Sequence, residues 1–212
     1  MFSTDLFYIV PAALTAVMIH EISHGLVSTW LGDPTPKSQG RLSFNIFRHL
    51  DVFGTLSLIF FGFGWAKPVE IDPRYYKNIK TGTALVAIAG PISNFIFAFV
   101  SLFLYLLIFK VKGWDLTGFY YVVSNFSYYL TLINIGLGVF NLIPFPPLDG
   151  SKIIGILLPD HWYRQILRYE RIGIMALVIL IVLNALDKPL NWLITNTIEI
   201  FYNLISFLLN MN

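Results

Sequence analysis

The chain is a succession of apolar runs separated by short polar breaks. A helix needs about 20 mostly apolar residues to cross the hydrocarbon of a bilayer. The runs at residues 6–31, 82–109 and 119–143 reach that length. Two more, at 172–186 and 190–209, are separated by Asp187-Lys188-Pro189. A further run at residues 52–66 is only about fifteen residues long and carries Gly54, Gly62 and Gly64. Gly32-Asp33-Pro34 stops the first run. Pro144, Pro146 and Pro147 stop the run before them, because proline lacks the N–H that a regular helix needs. The pattern predicts an all-α polytopic transmembrane bundle of about five to six spans, with a small irregular or β insertion after the first span. It is read as one membrane-embedded domain over residues 1–212, with a core at 5–155 and accessory spans at 156–212. No cleavable signal peptide is expected, since Asp5 stands where a basic segment belongs and the apolar run outlasts a signal sequence.

Charge decides how the short run at 52–66 is treated. If it does not cross, the loops at 32–80 and 144–171 share one side and hold Lys37, Arg41, Arg48, Lys67, Arg74, Lys77, Lys80, Lys152, Arg164, Arg168 and Arg171. Only Lys110, Lys112 and Lys188 then lie opposite. If it does cross, that asymmetry nearly disappears. Loops rich in Lys and Arg stay in the cytoplasm. The expectation is therefore five spans, with the N-terminus outside, the C-terminus in the cytoplasm, and residues 52–66 re-entrant or packed on the bundle.

Composition agrees and narrows the chemistry. The chain of 212 residues is 56% hydrophobic and 12% charged, against roughly 25% charged in soluble domains, with a mean hydropathy of +0.69. A net charge of +2 without basic clustering gives no footing for nucleic acid. Cysteine is absent, which leaves His, Asp and Glu as metal ligands.

His20-Glu21-Ile22-Ser23-His24-Gly25 lies inside the first apolar run. On a helix, His20 and His24 share a face one turn apart and can both reach one Zn²⁺, with Glu21 beside them to take a proton from water. Ionisable groups at that depth are costly and mark a site. Two histidines and a water leave a catalytic zinc one protein ligand short. His20 is about 16 Å from the end of its span at 1.5 Å per residue. The third ligand must therefore turn back into the membrane, and Asp149, following the proline-rich break, is positioned to do so. Broken backbone is tolerated at that depth where it lines a wet cavity.

His20-Glu21-Ile22-Ser23-His24-Gly25 together with Asn141-Leu142-Ile143-Pro144-Phe145-Pro146-Pro147-Leu148-Asp149-Gly150 resembles the site-2 protease family of intramembrane metalloproteases. His49-Leu50-Asp51 with Gly54-Thr55, Gly64-Trp65-Ala66-Lys67-Pro68-Val69 and Ala89-Gly90-Pro91-Ile92-Ser93-Asn94 extend the likeness over about residues 16 to 155, in the manner of the compact prokaryotic branch without a PDZ domain. Val52 stands where relatives of this branch often have proline. The resemblance implies one zinc per chain held by His20, His24 and Asp149, Glu21 as general base, and hydrolysis of peptide bonds in or next to transmembrane segments of membrane proteins. Asn94 and Asn141 are the candidate amide donors to the oxyanion. A helical substrate must unwind locally before attack, and residues 52–65 are a candidate strand edge to receive it. The active site is expected nearer the cytoplasmic face of the cell membrane. Oligomeric state is open.

Plainer uses compete with these. Asp149 before Gly150 is a common turn pair, and Asn94 and Asn141 are residue types that bridge helices in membranes. His49 is either an interfacial residue or part of a gate, and His161 beside Trp162 is an interfacial anchor. A metal transporter and a non-cleaving scaffold are the rival functions. The first is disfavoured because the other spans read as largely apolar, the second because Glu21 is present.

Overall fold

The computed structural model describes residues 5–61 and 67–211. It is an all-α bundle, without a strand among the described residues. Its helices are α1 (Leu6–Trp30), α2 (Thr35–Ser38), α3 (Val52–Phe61), α4 (Ile79–Lys112), α5 (Gly118–Asn141), α6 (Asp149–Gly155), α7 (Asp160–Arg168), α8 (Glu170–Val182) and α9 (Asp187–Leu208). Short 3₁₀ turns occupy Ile46–Arg48 and Pro73–Tyr75.

By length and composition, α1, α4 and α5 can each cross a membrane, and α8 with α9 qualifies only as a pair bent by 84°. The described helices thus supply three spans, or four with the bent pair counted once, where the sequence reading counted five. The cause is local. Asn184 adopts φ 54° in the turn between α8 and α9, a left-handed conformation that Asn tolerates. That turn leaves α8 with 13 residues, below the roughly 17 a span requires.

The candidate strand edge at residues 52–65 is also corrected in part. Residues 52–61 are helix α3, so they offer no strand edge. At ten residues α3 is too short to cross. Residues 62–65, the rest of that candidate edge, lie outside the described residues. The insertion between α1 and α4 is therefore irregular and helical where it is described.

Helix α4 organises the bundle, packing on α1, α5, α6 and α9. Its N-cap is Asn78, whose side chain accepts from Thr81 N at 3.0 Å, and it ends at Gly113, φ 79°. Where α4 meets α1 and α5, small residues let the backbones approach, as membrane helices do without a hydrophobic force to join them. Ala12, Ala16 and Ala98 are fully buried there. Away from the motif, Leu102 and Leu106 of α4 pack with Ile205 and Leu209 of the last helix and its cap. The inner face of α5 is polar: Ser124, Ser127, Thr131 and Asn134 are all buried.

The chain is pinned as it leaves α1 by one buried carboxylate. Asp33 accepts from Ser28 Oγ (2.7 Å), Asp72 N (2.8 Å) and Thr35 N (2.9 Å), and Tyr76 OH meets the same Ser28 hydroxyl at 2.7 Å. Burial pushes the Asp33 carboxyl up, but the bonds from Thr35, Asp72 and Ser28 outweigh it and hold the group below the usual carboxylate range. A depressed folded pKa contributes stability that is complete above the unfolded value, near 3.9, and is lost as pH falls through the folded one. Asp33→Ala should cost about 3 kcal/mol, since it strands several buried donors. In thermal unfolding in detergent, the gap between wild type and Asp33→Asn should be constant above about pH 4 and shrink below it.

Candidate metal centre

Helix α1 places His20 and His24 one turn apart, and their ring centroids are 4.5 Å apart. The third member arrives as expected, by a chain that turns back. After α5 ends at Asn141, residues 142–148 fold into tight turns, with Phe145 N bonded to Ile143 O and Leu148 N to Phe145 O. Helix α6 then opens on Asp149. Gly150 makes the return possible, because a Cβ there would stand 2.3 Å from Leu142 O and 2.4 Å from Ile143 O.

Asp149 Oδ2 lies 3.2 Å from His20 Nε2 and 3.2 Å from His24 Nε2, and the two Nε2 atoms are 2.9 Å apart. The three side chains are 10%, 6% and 12% exposed, in that order. What faces inward is fixed by what each ring does with its other nitrogen. His24 Nδ1 is 2.7 Å from the Val86 carbonyl, which can only accept, so that nitrogen carries the proton. His20 Nδ1 is 2.6 Å from Asn94 Oδ1. The Asn94 amide nitrogen donates elsewhere, to Asn134 Oδ1 (2.8 Å) and Ala16 O (3.2 Å), so its oxygen faces His20. Both neutral rings therefore turn a bare lone pair on Nε2 toward Asp149 Oδ2, which receives no hydrogen bond.

With both rings neutral, three buried acceptors stand within 3.2 Å of one another, an arrangement that a cation satisfies. Ligand atoms about 2.0–2.1 Å from a tetrahedral zinc stand roughly 3.3 Å apart, so the triangle closes to that size with little movement. The donor set fits zinc, and the outer hydrogen bonds to Val86 and Asn94 are those that orient metal-binding imidazoles. Among the described residues, His20, His24 and Asp149 are the group positioned to hold a metal ion. Gly90 of α4 lies flat against both rings: a Cβ there would fall 2.5 Å from His20 Cε1 and 2.6 Å from His24 Nε2.

The centre opens into a cavity of about 260 Å³ whose walls include Glu21, Val69, Thr83, Asn141 and Lys152. Glu21 is half-buried beside the triangle, and its Oε2 accepts from Val69 N at 2.8 Å. Asn141 lines the cavity, using one amide N–H on Leu137 O at 3.0 Å. Asn94 does not. It is fully buried behind His20 with both ends of its amide engaged, so it positions an imidazole and faces no oxyanion. His49 is 2% exposed and sits apart from the cavity, bonded through Nε2 to Ser43 O at 2.8 Å. His161 is exposed, beside Trp162.

Sequence reasoning missed four groups here. The Val69 N–H and the Val86 carbonyl are backbone and leave no signature. Asn134 had one, because it continues the 124–127–131 spacing of polar residues that face one side of a helix. Thr83 had none; its buried hydroxyl, on the cavity wall, has no partner.

The chain is similar to proteins named as zinc metalloproteases. Residues 115–185 match the profile of Peptidase family M50. The chain is 37% identical over 175 residues to the Bacillus subtilis protein named "Putative zinc metalloprotease YwhC", covering 82% of this chain and 80% of that one. A Methanocaldococcus jannaschii protein, "Putative zinc metalloprotease MJ0611", is 32% identical over 105 residues, about half of each chain (49% and 49%). No solved structure matches the chain.

Two substitutions outside the three candidate ligands test the arrangement. Asn94→Ala should weaken zinc binding by about 10–100-fold in a chelator competition, because the His20 ring loses its orienting acceptor. Gly90→Ala should lose zinc as well, although it removes no donor atom. A multi-pass helical chain that gathers two imidazoles and a carboxylate, and whose relatives carry the names above, belongs to Peptidase family M50, the site-2 protease family of zinc metalloproteases.

Proposed function

We propose that the chain is a zinc-dependent endopeptidase that hydrolyses peptide bonds in or next to transmembrane segments of membrane proteins. One observation carries this: the His20, His24 and Asp149 triangle and the Glu21 carboxylate beside it line one cavity, with both histidines and Glu21 on a helix long and apolar enough to cross a membrane.

His20, His24 and Asp149 would hold the zinc, one per chain. When bound, Zn²⁺ supplies Lewis acidity, which brings the pKa of water down to about 7 and polarises a carbonyl. Glu21, adjacent in sequence to one ligand and bonded to none of the three, takes a proton from the attacking water and returns it to the departing amine. The Val69 N–H fixes the Glu21 carboxylate in one orientation before substrate arrives. Asn141, on the cavity wall, donates to the oxyanion as it forms. Asn94 and Val86 keep the imidazoles in the tautomer that presents Nε2. A transmembrane substrate has its carbonyls bonded within its own helix, so it enters locally unwound. With α1, α4 and α5 as the spans, the Lys and Arg asymmetry supports the N-terminus outside, the C-terminus inside and a cavity nearer the cytoplasm.

The buried polar face of α5 is the feature that would suit a transporter instead. It ends, however, in the Asn134–Asn94 bond that braces His20, which gives it a structural use.

Zinc content and cleavage of a transmembrane reporter, measured together, separate these readings. Glu21→Gln should retain about one zinc per chain and lose cleavage by at least a hundredfold, as removal of a general base does. Asp149→Ala should lose both. Unchanged cleavage by Glu21→Gln would sink the endopeptidase reading and bring the transporter forward.

A further inference from the structure

Residues 67–70 have two sides. Pro68 and Val69 line the cavity beside Glu21, whereas Lys67 and Glu70 line a separate cleft together with Gln39, Arg41 and Arg48. We propose that this cleft binds the phosphate of an anionic phospholipid headgroup.

The cleft holds three cations and one carboxylate, so its balance is positive, and Glu70 Oε2 accepts from the neutral Gln39 Nε2 at 2.6 Å. Arg41 is only 7% exposed, and its Nη1 donates to the Arg48 carbonyl. Arg48 in turn folds over Gly40, φ 63°, and donates to its carbonyl at 2.9 Å. Among the described residues, none of Arg41, Arg48 and Lys67 has a carboxylate within ion-pair distance. Residues 62–66 contribute no acid in the sequence. A guanidinium taken out of water without an anion is costly, and its remaining N–H donors suit phosphate oxygens.

The surroundings select a lipid over a soluble anion. The cleft belongs to the segment that leaves α1 at the end of its span, where Trp30 is 78% exposed. The loop between Arg41 and Arg48 presents Phe44 and Phe47, which are 78% and 82% exposed. Cations beside bare aromatic rings at a span's end are the composition that anionic headgroups and the adjoining acyl boundary accept together. An inorganic anion or an acidic peptide would leave both rings in water. Because the cleft and the cavity share residues 67–70, a bound headgroup also steadies the backbone that holds Glu21.

The test titrates the full chain in neutral maltoside detergent with short-chain phosphatidylglycerol and short-chain phosphatidylcholine. Parallel arms use inorganic phosphate and an acidic peptide, and the unfolding temperature is the readout. Phosphatidylglycerol should bind more tightly than phosphatidylcholine. Arg48→Gln and Lys67→Gln, both at exposed positions, should each weaken it roughly fivefold. Glu70→Gln should strengthen it by removing the opposing charge. Equal response to the two lipids, or a preference untouched by these three variants, overturns the proposal. Inorganic phosphate matching phosphatidylglycerol would make this a soluble-anion site, and a response to the peptide alone would make it a substrate contact; either result also overturns it. Zinc loading and cleavage do not enter the readout, so the proposal stands or falls apart from the protease reading.

Discussion

The arrangement depends on two protons held away from the centre. His24 gives its Nδ1 proton to a main-chain carbonyl of α4, and His20 gives its own to the Asn94 side chain of the same helix. Each ring is left with a single lone pair, and both point at one carboxylate oxygen. In the low dielectric of a helix bundle such a cluster is unstable by itself. Metal binding and packing of the site are therefore one problem.

Helix α4 solves most of it. Its Val86 carbonyl is a spare acceptor, its Asn94 is braced by Asn134 of α5 and Ala16 of α1, and its Gly90 leaves room for the two rings. All three lie along one side of the helix. The Asp33 cluster acts at the other end of the same system, tying the end of α1 to residue 72. The segment that carries Val69 to Glu21 is thereby held from below. Fixing donors before substrate arrives is how such sites avoid reorganising during reaction.

What the sequence made legible follows from which interactions are local. The spacing of His20 and His24 has one structural meaning on a helix. The prolines before Asp149 announced a chain that turns back, although only the structure shows that Gly150 must lie against the carbonyls of residues 142 and 143. Asn94 carries two readings in the sequence, an amide donor to the oxyanion and a bridge between helices, and the structure places it in the second, since its role depends on which face of α4 meets α1. That is a tertiary fact without a local code. By length and composition the described helices supply fewer spans than the five expected, in part because a left-handed Asn184 ends α8 early in an otherwise apolar stretch. The polar spacing on α5 was present to be read, but it was averaged away by counting the spans as largely apolar.

The most direct test of the centre is X-ray absorption at the zinc edge on purified, zinc-loaded wild type. Two imidazole nitrogens and carboxylate or water oxygen at about 2.0–2.1 Å are expected, in four-coordinate geometry. A spectrum with a single imidazole, or one of zinc in an all-oxygen shell, would contradict the convergence of His20, His24 and Asp149 on one ion.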